Sequence, residues 1–399
     1  MTFDALWGDL ADLGRDGSTG GYRRFALTAE DRLLREWFAG AATVRGLDLT
    51  TDRMGNQWAW WGDPDTVPGI VTGSHLDSVP DGGAYDGPLG VVSAFAALDL
   101  LRGRGFEPGR PLGIVNFTDE EGARFGVACA GSRVITGALS TDRALGLTDG
   151  DGVTMAAALS AAGRDPASIG ADPEALRRIA TFVELHVEQG RCLVDLGRPV
   201  ALGTDIWPHG RWRFDFPGEA NHAGTTRLGD RRDAMIGLAS TVLAARAAAA
   251  AQGCVATVGK TRLVPGGVNA IPSAATAWLD ARGAEEEAVR RTVAEVARAA
   301  AEFDATVSEE SWTPTTRFDG DLLRRLQRVL PDAPLLGTGA GHDAGILAAA
   351  GIPTGMIFVR NPTGVSHSPA EFAARDDCLI GVLALAEVLG DLLSAAAPS

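Results

Sequence analysis

Residues 73–90 read GSHLDSVPDGGAYDGPLG. They follow a short apolar run, Gly69–Thr72, that has the content of a buried strand. His75 and Asp77 lie at the mouth of that strand, and Asp86 follows in the glycine-rich loop beyond it. A histidine and two carboxylates at a strand end of an α/β sheet sit where such folds place their chemistry.

The same pattern recurs outward from this stretch. Thr28 is placed to cap a helix running through Leu33, Leu34 and Trp37. Leu47–Leu49 and Gln57–Trp61 read as strands around a Met54-Gly55-Asn56 turn, and Gly90–Leu101 as an apolar helix. Pro111–Phe117 is a buried strand ending in Thr118-Asp119-Glu120-Glu121-Gly122. Thr181–His186 is another, ending in His186-Val187-Glu188-Gln189-Gly190. Strand Thr354–Val359 and helix Asp376–Ala396 close the chain. Strands alternating with helices predict an α/β fold with a mainly parallel central sheet and helices on both faces.

Near residue 209 the pattern changes. Arg211–Phe216 alternates polar and apolar, Ala234–Ala250 is an alanine-rich helix, and Cys254–Leu263 and Ala274–Asp280 read as antiparallel strands. Helix Glu285–Ala301 and strand Thr306–Ser311 follow. The order β-α-β-β-α-β is that of a ferredoxin-like unit. The expected organisation is a discontinuous catalytic domain, 1–208 and 319–399, interrupted by an α+β domain at 209–318.

The 399 residues are 45% hydrophobic and 22% charged, as in a soluble globular protein, and carry a net charge of −15. That balance argues against nucleic acid and membrane surfaces as partners, since both attract basic patches. Cys129, Cys192, Cys254 and Cys378 show no paired spacing. They read as buried free thiols of a reducing compartment, away from every motif. The N-terminal MTFDALWGDL lacks the basic and apolar regions of a signal peptide, so the expected location is cytoplasmic.

The six histidines are His75, His186, His209, His222, His342 and His367. Any one alone is more often structural than a ligand; as a set at strand ends they suggest a metal site. Imidazole and carboxylate suit metal-assisted hydrolysis. The candidate ligands are His75, Asp86, Glu121, His186 and His367. With Asp86 bridging, one divalent ion takes His75, Asp86 and His186, and a second takes Asp86, Glu121 and His367. Two such ions can share a hydroxide and polarise a carbonyl. Asp77 is placed to hold the His75 ring. Glu120, next to Glu121 but pointing elsewhere, reads as the general base and later acid; a solvated charge run is the competing reading of Asp119-Glu120-Glu121. His222, in ANHAGTT, is a donor for a developing oxyanion. Asn269 and Arg282 suit recognition of a substrate carboxylate, although Arg282 reads equally as half of a surface salt bridge.

Seven segments occur in a recognisable order: GSHLDSVPDGGAYDGPLGV, FTDEEGARFG, ELHVEQG, GEANHAGTTR, GGVNAIPS, GAGHDAG and GVSHSPAE. With them the chain resembles the amidohydrolase branch of the M20 metallopeptidase-like family, which includes N-carbamoyl-L-amino-acid hydrolases, allantoate amidohydrolases and β-ureidopropionases. The resemblance implies a two-zinc or two-manganese catalytic domain, a smaller lid or dimerisation domain, and homodimers. It implies the five ligands above with Glu120 as base. It also implies substrate contacts from Gln189, His222, Asn269 and Arg282, the lid residues acting either within their own subunit or on the partner's site. His186, where an acidic residue would mark an aminoacylase or carboxypeptidase, favours this branch. Arg227, Gly266-Gly267, Ser368, Arg360, Trp207 and His209 depart from the common forms and bear on substrate choice.

The expected reaction is hydrolysis of a linear C–N bond in an N-carbamoyl-L-amino acid or allantoate, a small carboxylate-bearing substrate. The alternatives are an N-formyl or N-acyl amino acid hydrolase or a dipeptidase on the same fold, and, from another class, an inactive metal-containing binding protein.

Overall fold

Thr28 caps the helix Ala29–Thr43, its side-chain oxygen accepting the Asp31 amide hydrogen. In the computed structural model, which describes residues 2–394, this helix leads into a nine-stranded sheet. The first strands are β1 (Asp48–Thr51), β2 (Gln57–Trp61), β3 (Gly69–His75), β4 (Leu112–Phe117), β5 (Ile179–Val187) and β6 (Val200–Ile206). Then come β7 (His209–Pro217), β8 (Asn221–His222), β9 (Val255–Val264), β10 (Ala270–Ile271), β11 (Ala274–Arg282) and β12 (Thr306–Thr313). The series ends with β13 (Thr316–Arg317), β14 (Leu335–Thr338) and β15 (Thr354–Val359).

The centre of the large sheet, β4-β3-β5-β15, is parallel. Antiparallel strands flank it, with β2 and β1 on one side and β6 on the other. Every residue of β3, β4 and β15 is buried, which is why these strands read as mainly apolar rather than alternating. Val183, Leu185 and Val187 of β5 enter the main core with the helices Pro88–Gly103 and Arg375–Ser394. Alternation along the strand turns Glu184 and His186 to the other face. There the amide of Ala344, in helix Asp343–Ala349, donates to Glu184 at 3.2 Å. Helices thus cover both faces. Phe38 and Phe95 are fully buried in the main core with ring centroids 5.3 Å apart. Burial of one such ring contributes about 1.5–3 kcal/mol. Residues 395 and 396 of the expected closing helix lie outside the described residues.

The chain divides into two compact units. One comprises the chain up to Thr204, Arg317–Leu336 and the chain from Gly341 onward; the other comprises Asp205–Thr316 and Gly337–Ala340. The second unit has a four-stranded antiparallel sheet in the order β12-β7-β11-β9. Numbered within the unit, that is 4-1-3-2, the order of a ferredoxin-like fold. Helices Ala234–Gln252 and Glu286–Ala301 pack on one another and on this sheet. Trp212, Phe214 and Phe216 of β7 share a core with Leu238, Ala245 and Ala248 of the first of those helices. That helix is long and apolar enough to cross a membrane by length and composition, yet its buried face belongs to this core.

Candidate metal centre

The site starts where β3 runs out. Gly87 follows Asp86 with φ +86°, a conformation that favours glycine, and a Cβ there would meet the His75 ring at 2.4 Å. The chain therefore turns tightly against His75 and delivers the Asp86 carboxylate beside it. Nδ1 of His75 lies 3.1 Å from the Asp77 carbonyl oxygen and 3.4 Å from Asp77 Oδ1. Nε2 of His75 faces inward, 3.8 Å from Asp86 Oδ1 and 3.8 Å from Glu120 Oε2. His186, at the end of β5, has Nδ1 at 2.9 Å from the Val187 carbonyl oxygen, so its Nε2 reaches within 3.2 Å of the same Asp86 Oδ1.

The other Asp86 oxygen serves a second group. Nε2 of His367 is 3.3 Å from Asp86 Oδ2 and 3.6 Å from Glu121 Oε2. Gln189 donates from Nε2 to Asp86 Oδ2 at 2.9 Å and to the Ser366 hydroxyl at 3.2 Å. Two triads suited to a cation result, His75–Asp86–His186 and Asp86–Glu121–His367, with Asp86 common to both. Asp77 does more than face the His75 ring. Its two oxygens accept the backbone amides of Glu120 at 3.2 Å and Glu121 at 3.0 Å, which fixes the two carboxylates' loop against β3.

The electrostatics follow from burial and mutual contact. Burial works against the Asp86 carboxylate, but the His186 and His367 imidazoles that face it hold it well below the usual range. Burial, then the Asp86 charge, pushes Glu121 up to about 7. Burial pushes Glu120 well above the ordinary carboxylate range. The hydrogen bond to Asp86 is the main cause that raises His367 to about 9. Nε2 of His75, Nε2 of His186 and Oε1 of Glu121 are buried without a hydrogen-bond partner. Each such orphan costs about 1–3 kcal/mol. Divalent cations would satisfy these atoms together, and imidazole with carboxylate is a donor set that suits borderline ions. The residues therefore fit metal ions. Glu184, His186 and His342 also cluster. Glu184, however, is already satisfied by the Ser74 hydroxyl at 2.7 Å and the Ala344 amide, so that group is scaffolding beneath His186.

The profile of peptidase family M20/M25/M40 matches residues 62–391. The chain belongs to this family. M20 proteins depend on metal, and the two triads are this member's candidate holders of it. Among its relatives, an N-carbamoyl-L-amino acid amidohydrolase of Geobacillus stearothermophilus is 36% identical, over 97% of this chain and 96% of that one. An allantoate amidohydrolase of Escherichia coli is 30% identical, over 96% and 95%. The crystal structure of an amidase of the hydantoinase/carbamoylase family from Burkholderia vietnamiensis superposes with a TM-score of 0.87 at 29% identity, covering 99% of this chain and 98% of that one. The M20 resemblance read from the seven segments is thus the family itself.

The remaining expected residues lie in the second unit. The pairing of β8 with β10 sets His222 beside Asn269, whose carbonyl accepts the Ala223 amide at 3.0 Å. Both side chains are exposed, and Nδ1 of His222 accepts the Gly224 amide at 3.0 Å. Arg282 forks onto Asp280, with Nε 2.6 Å from Oδ1 and Nη2 3.1 Å from Oδ2, and gives Nη1 to the Gly339 carbonyl at 2.8 Å. The salt-bridge reading of Arg282 therefore holds locally. Arg360 also has a structural partner, a bidentate pairing with Asp377 at the start of the closing helix. Nδ1 of His209 lies 3.0 Å from the Trp207 carbonyl oxygen.

Two readings of the cysteines need correction. Only Cys129 and Cys378 are buried; Cys192 is exposed and Cys254 intermediate, although all four are free. Nor are the thiols remote from the motifs, since Cys129 Sγ lies 3.3 Å from Glu120 Oε1. Glu371 went unrecognised. Ser368-Pro-Ala-Glu371 has the spacing of a helix capping box, which hides a longer reach. Glu371 Oε1 accepts the amides of Tyr85 at 2.8 Å and Asp86 at 2.9 Å, and its Oε2 accepts the Ser366 hydroxyl at 3.1 Å. This carboxylate ties the Asp86 loop to the His367 loop. Glu371→Ala is expected to weaken metal affinity about 10- to 100-fold, the usual cost of losing a partner of this kind. Activity followed against free metal concentration would show it; an unchanged curve would reduce Glu371 to a packing role.

Proposed function

We propose that this protein hydrolyses the ureido or amide C–N bond of an N-carbamoyl-L-amino acid or of allantoate, using two divalent ions, zinc or manganese. The observation that carries this reading is the sharing of Asp86, one oxygen facing His75 and His186 and the other facing His367. His75, Asp86 and His186 would hold one ion, and Asp86, Glu121 and His367 the other. Bound there, the ions would act as Lewis acids on the scissile carbonyl and acidify water.

The chain's own groups do the rest. Glu120, raised by burial, takes a proton from the attacking water and returns it to the departing nitrogen. Asp77 fixes Glu120 and Glu121 through their amides and orients His75. His222 donates to the oxygen on which charge develops, and Gln189, Asn269 and Arg282 bind the substrate. Arg282 offers its remaining N–H groups to the carboxylate, with Asp280 bracing the fork. A ureido substrate would leave as amine, ammonia and carbon dioxide.

We further propose a cytoplasmic homodimer formed through the second unit. β9 is an edge strand of that unit's sheet, and Val255, Leu263 and Val264 on it are exposed. Ile236, Val242 and Leu243 of helix Ala234–Gln252 are exposed as well. An open edge beside apolar side chains is what a second copy would cover.

A panel of N-carbamoyl, N-formyl, N-acetyl and dipeptide substrates plus allantoate tests the reading, on metal-reconstituted protein scored for ammonia, formate and amine. Ammonia release from an N-carbamoyl-L-amino acid or allantoate is expected. Turnover confined to dipeptides would transfer the site to peptidase chemistry. Arg282→Ala is expected to raise KM about 10- to 100-fold, the worth of a charge-assisted hydrogen bond. A KM rise no larger than that of a distant surface substitution would remove Arg282 from the carboxylate.

A further inference from the structure

Glu120 is held by more than Asp77. Behind its loop, three consecutive amides run back to three consecutive carbonyls: Cys129 to Glu120, Ala130 to Asp119 and Gly131 to Thr118. The first of these residues is left-handed, with φ +56° at Cys129. That conformation is uncommon for a residue with a side chain and is worth explaining wherever it occurs. Here it places the Cys129 thiol in the buried space beside the Glu120 carboxylate, 3.3 Å from Oε1. The other oxygen, Oε2, is the one that faces His75.

We propose that the Cys129 thiol is a positioning donor: its S–H holds Oε1 of Glu120, so that Oε2 is presented to the metal centre as the oxygen that moves the proton. The proposal rests on Glu120 being the base, and adds how that base is aimed. A carboxylate on a flexible side chain has two equivalent oxygens and a free end torsion. A donor on one oxygen removes that freedom before substrate arrives, and aim of this kind is a recognised part of a catalytic group's efficiency. A thiol is a weak donor, so it fixes direction while leaving the carboxylate basic. Burial pushes the Cys129 thiol well above its ordinary range, so it stays protonated and able to donate. The competing reading makes Cys129 a small buried hydrophobe, and that reading requires no link to Glu120.

Infrared spectra of the full metal-loaded chain test the bond itself. The S–H stretch of Cys129, assigned by its loss in Cys129→Ser, is expected at lower wavenumber than a free thiol and is expected to rise in Glu120→Ala. A band that does not move in Glu120→Ala would overturn the proposal, whatever the enzyme's substrate. Kinetics test the consequence on whichever panel substrate turns over. Cys129→Ala keeps the Cβ and hence the same backbone conformation. It is expected to lower kcat about 10-fold with KM within about twofold and metal content unchanged, and Cys129→Ser to recover most of that loss. In a Glu120→Gln background Cys129→Ala is expected to have no further effect on kcat. Equal kcat in wild type, Cys129→Ala and Cys129→Ser would sink the positioning role. Near-normal turnover in Glu120→Gln would instead remove the base assignment, while the S–H band would still report the hydrogen bond.

Discussion

Glu120→Gln is expected to lower kcat by about 10²- to 10⁴-fold while leaving metal content and fold unchanged. Glutamine keeps the shape and can still accept from Cys129, but it cannot take a proton. Glu120 is about 5% exposed and its Oε2 lies 3.8 Å from His75 Nε2, close to the centre. Neither triad includes it, so both keep their donor atoms in the variant. Titrating the variant for metal and measuring single-turnover rates separates the two effects. Lost metal would make Glu120 a ligand, and normal turnover would make it a bystander.

The second large effect concerns the shared carboxylate. Asp86→Ala removes one donor from each triad and strands three imidazoles, His75, His186 and His367, without the charge they face. On the proposed two-ion reading both ions should be lost, and with them several kcal/mol of transition-state stabilisation, on the order of 10³-fold or more in rate. His367→Ala touches only the second triad, so it should leave the His75–Asp86–His186 ion in place. Metal analysis of the two variants is therefore diagnostic. If Asp86→Ala kept one ion at full occupancy, Asp86 would not be the bridge.

Local pattern revealed the elements whose environment is uniform along their length. β3, β4 and β15 are buried on both faces and read as mainly apolar runs without alternation. The second unit's β7 and β11 alternate strictly, because one face meets the unit's own helices. β6 escaped notice because Val200–Ile206 is interrupted by Gly203 and Asp205 and crosses the division between the two units at Thr204. The candidate ligands could be read because each stands at a strand end or in a loop with a distinctive sequence. Glu371 could not, since its work is done on amides 285 and 286 positions earlier and its local spacing imitates a cap. Cys129 was hidden for a related reason: only the left-handed turn at that residue brings its sulfur to Glu120.

The tie between Glu371 and the Asp86 loop has a consequence for biosynthesis. His75, Asp86, Glu121 and His186 leave the ribosome before the second unit begins, whereas His367 and Glu371 follow only after it is finished. A nascent chain that has completed these segments and the whole insertion contains every residue of the first triad but lacks His367 of the second. The second triad is thus deferred until His367 is translated, and a chain terminated between the insertion and His367 carries the residues of the first triad alone.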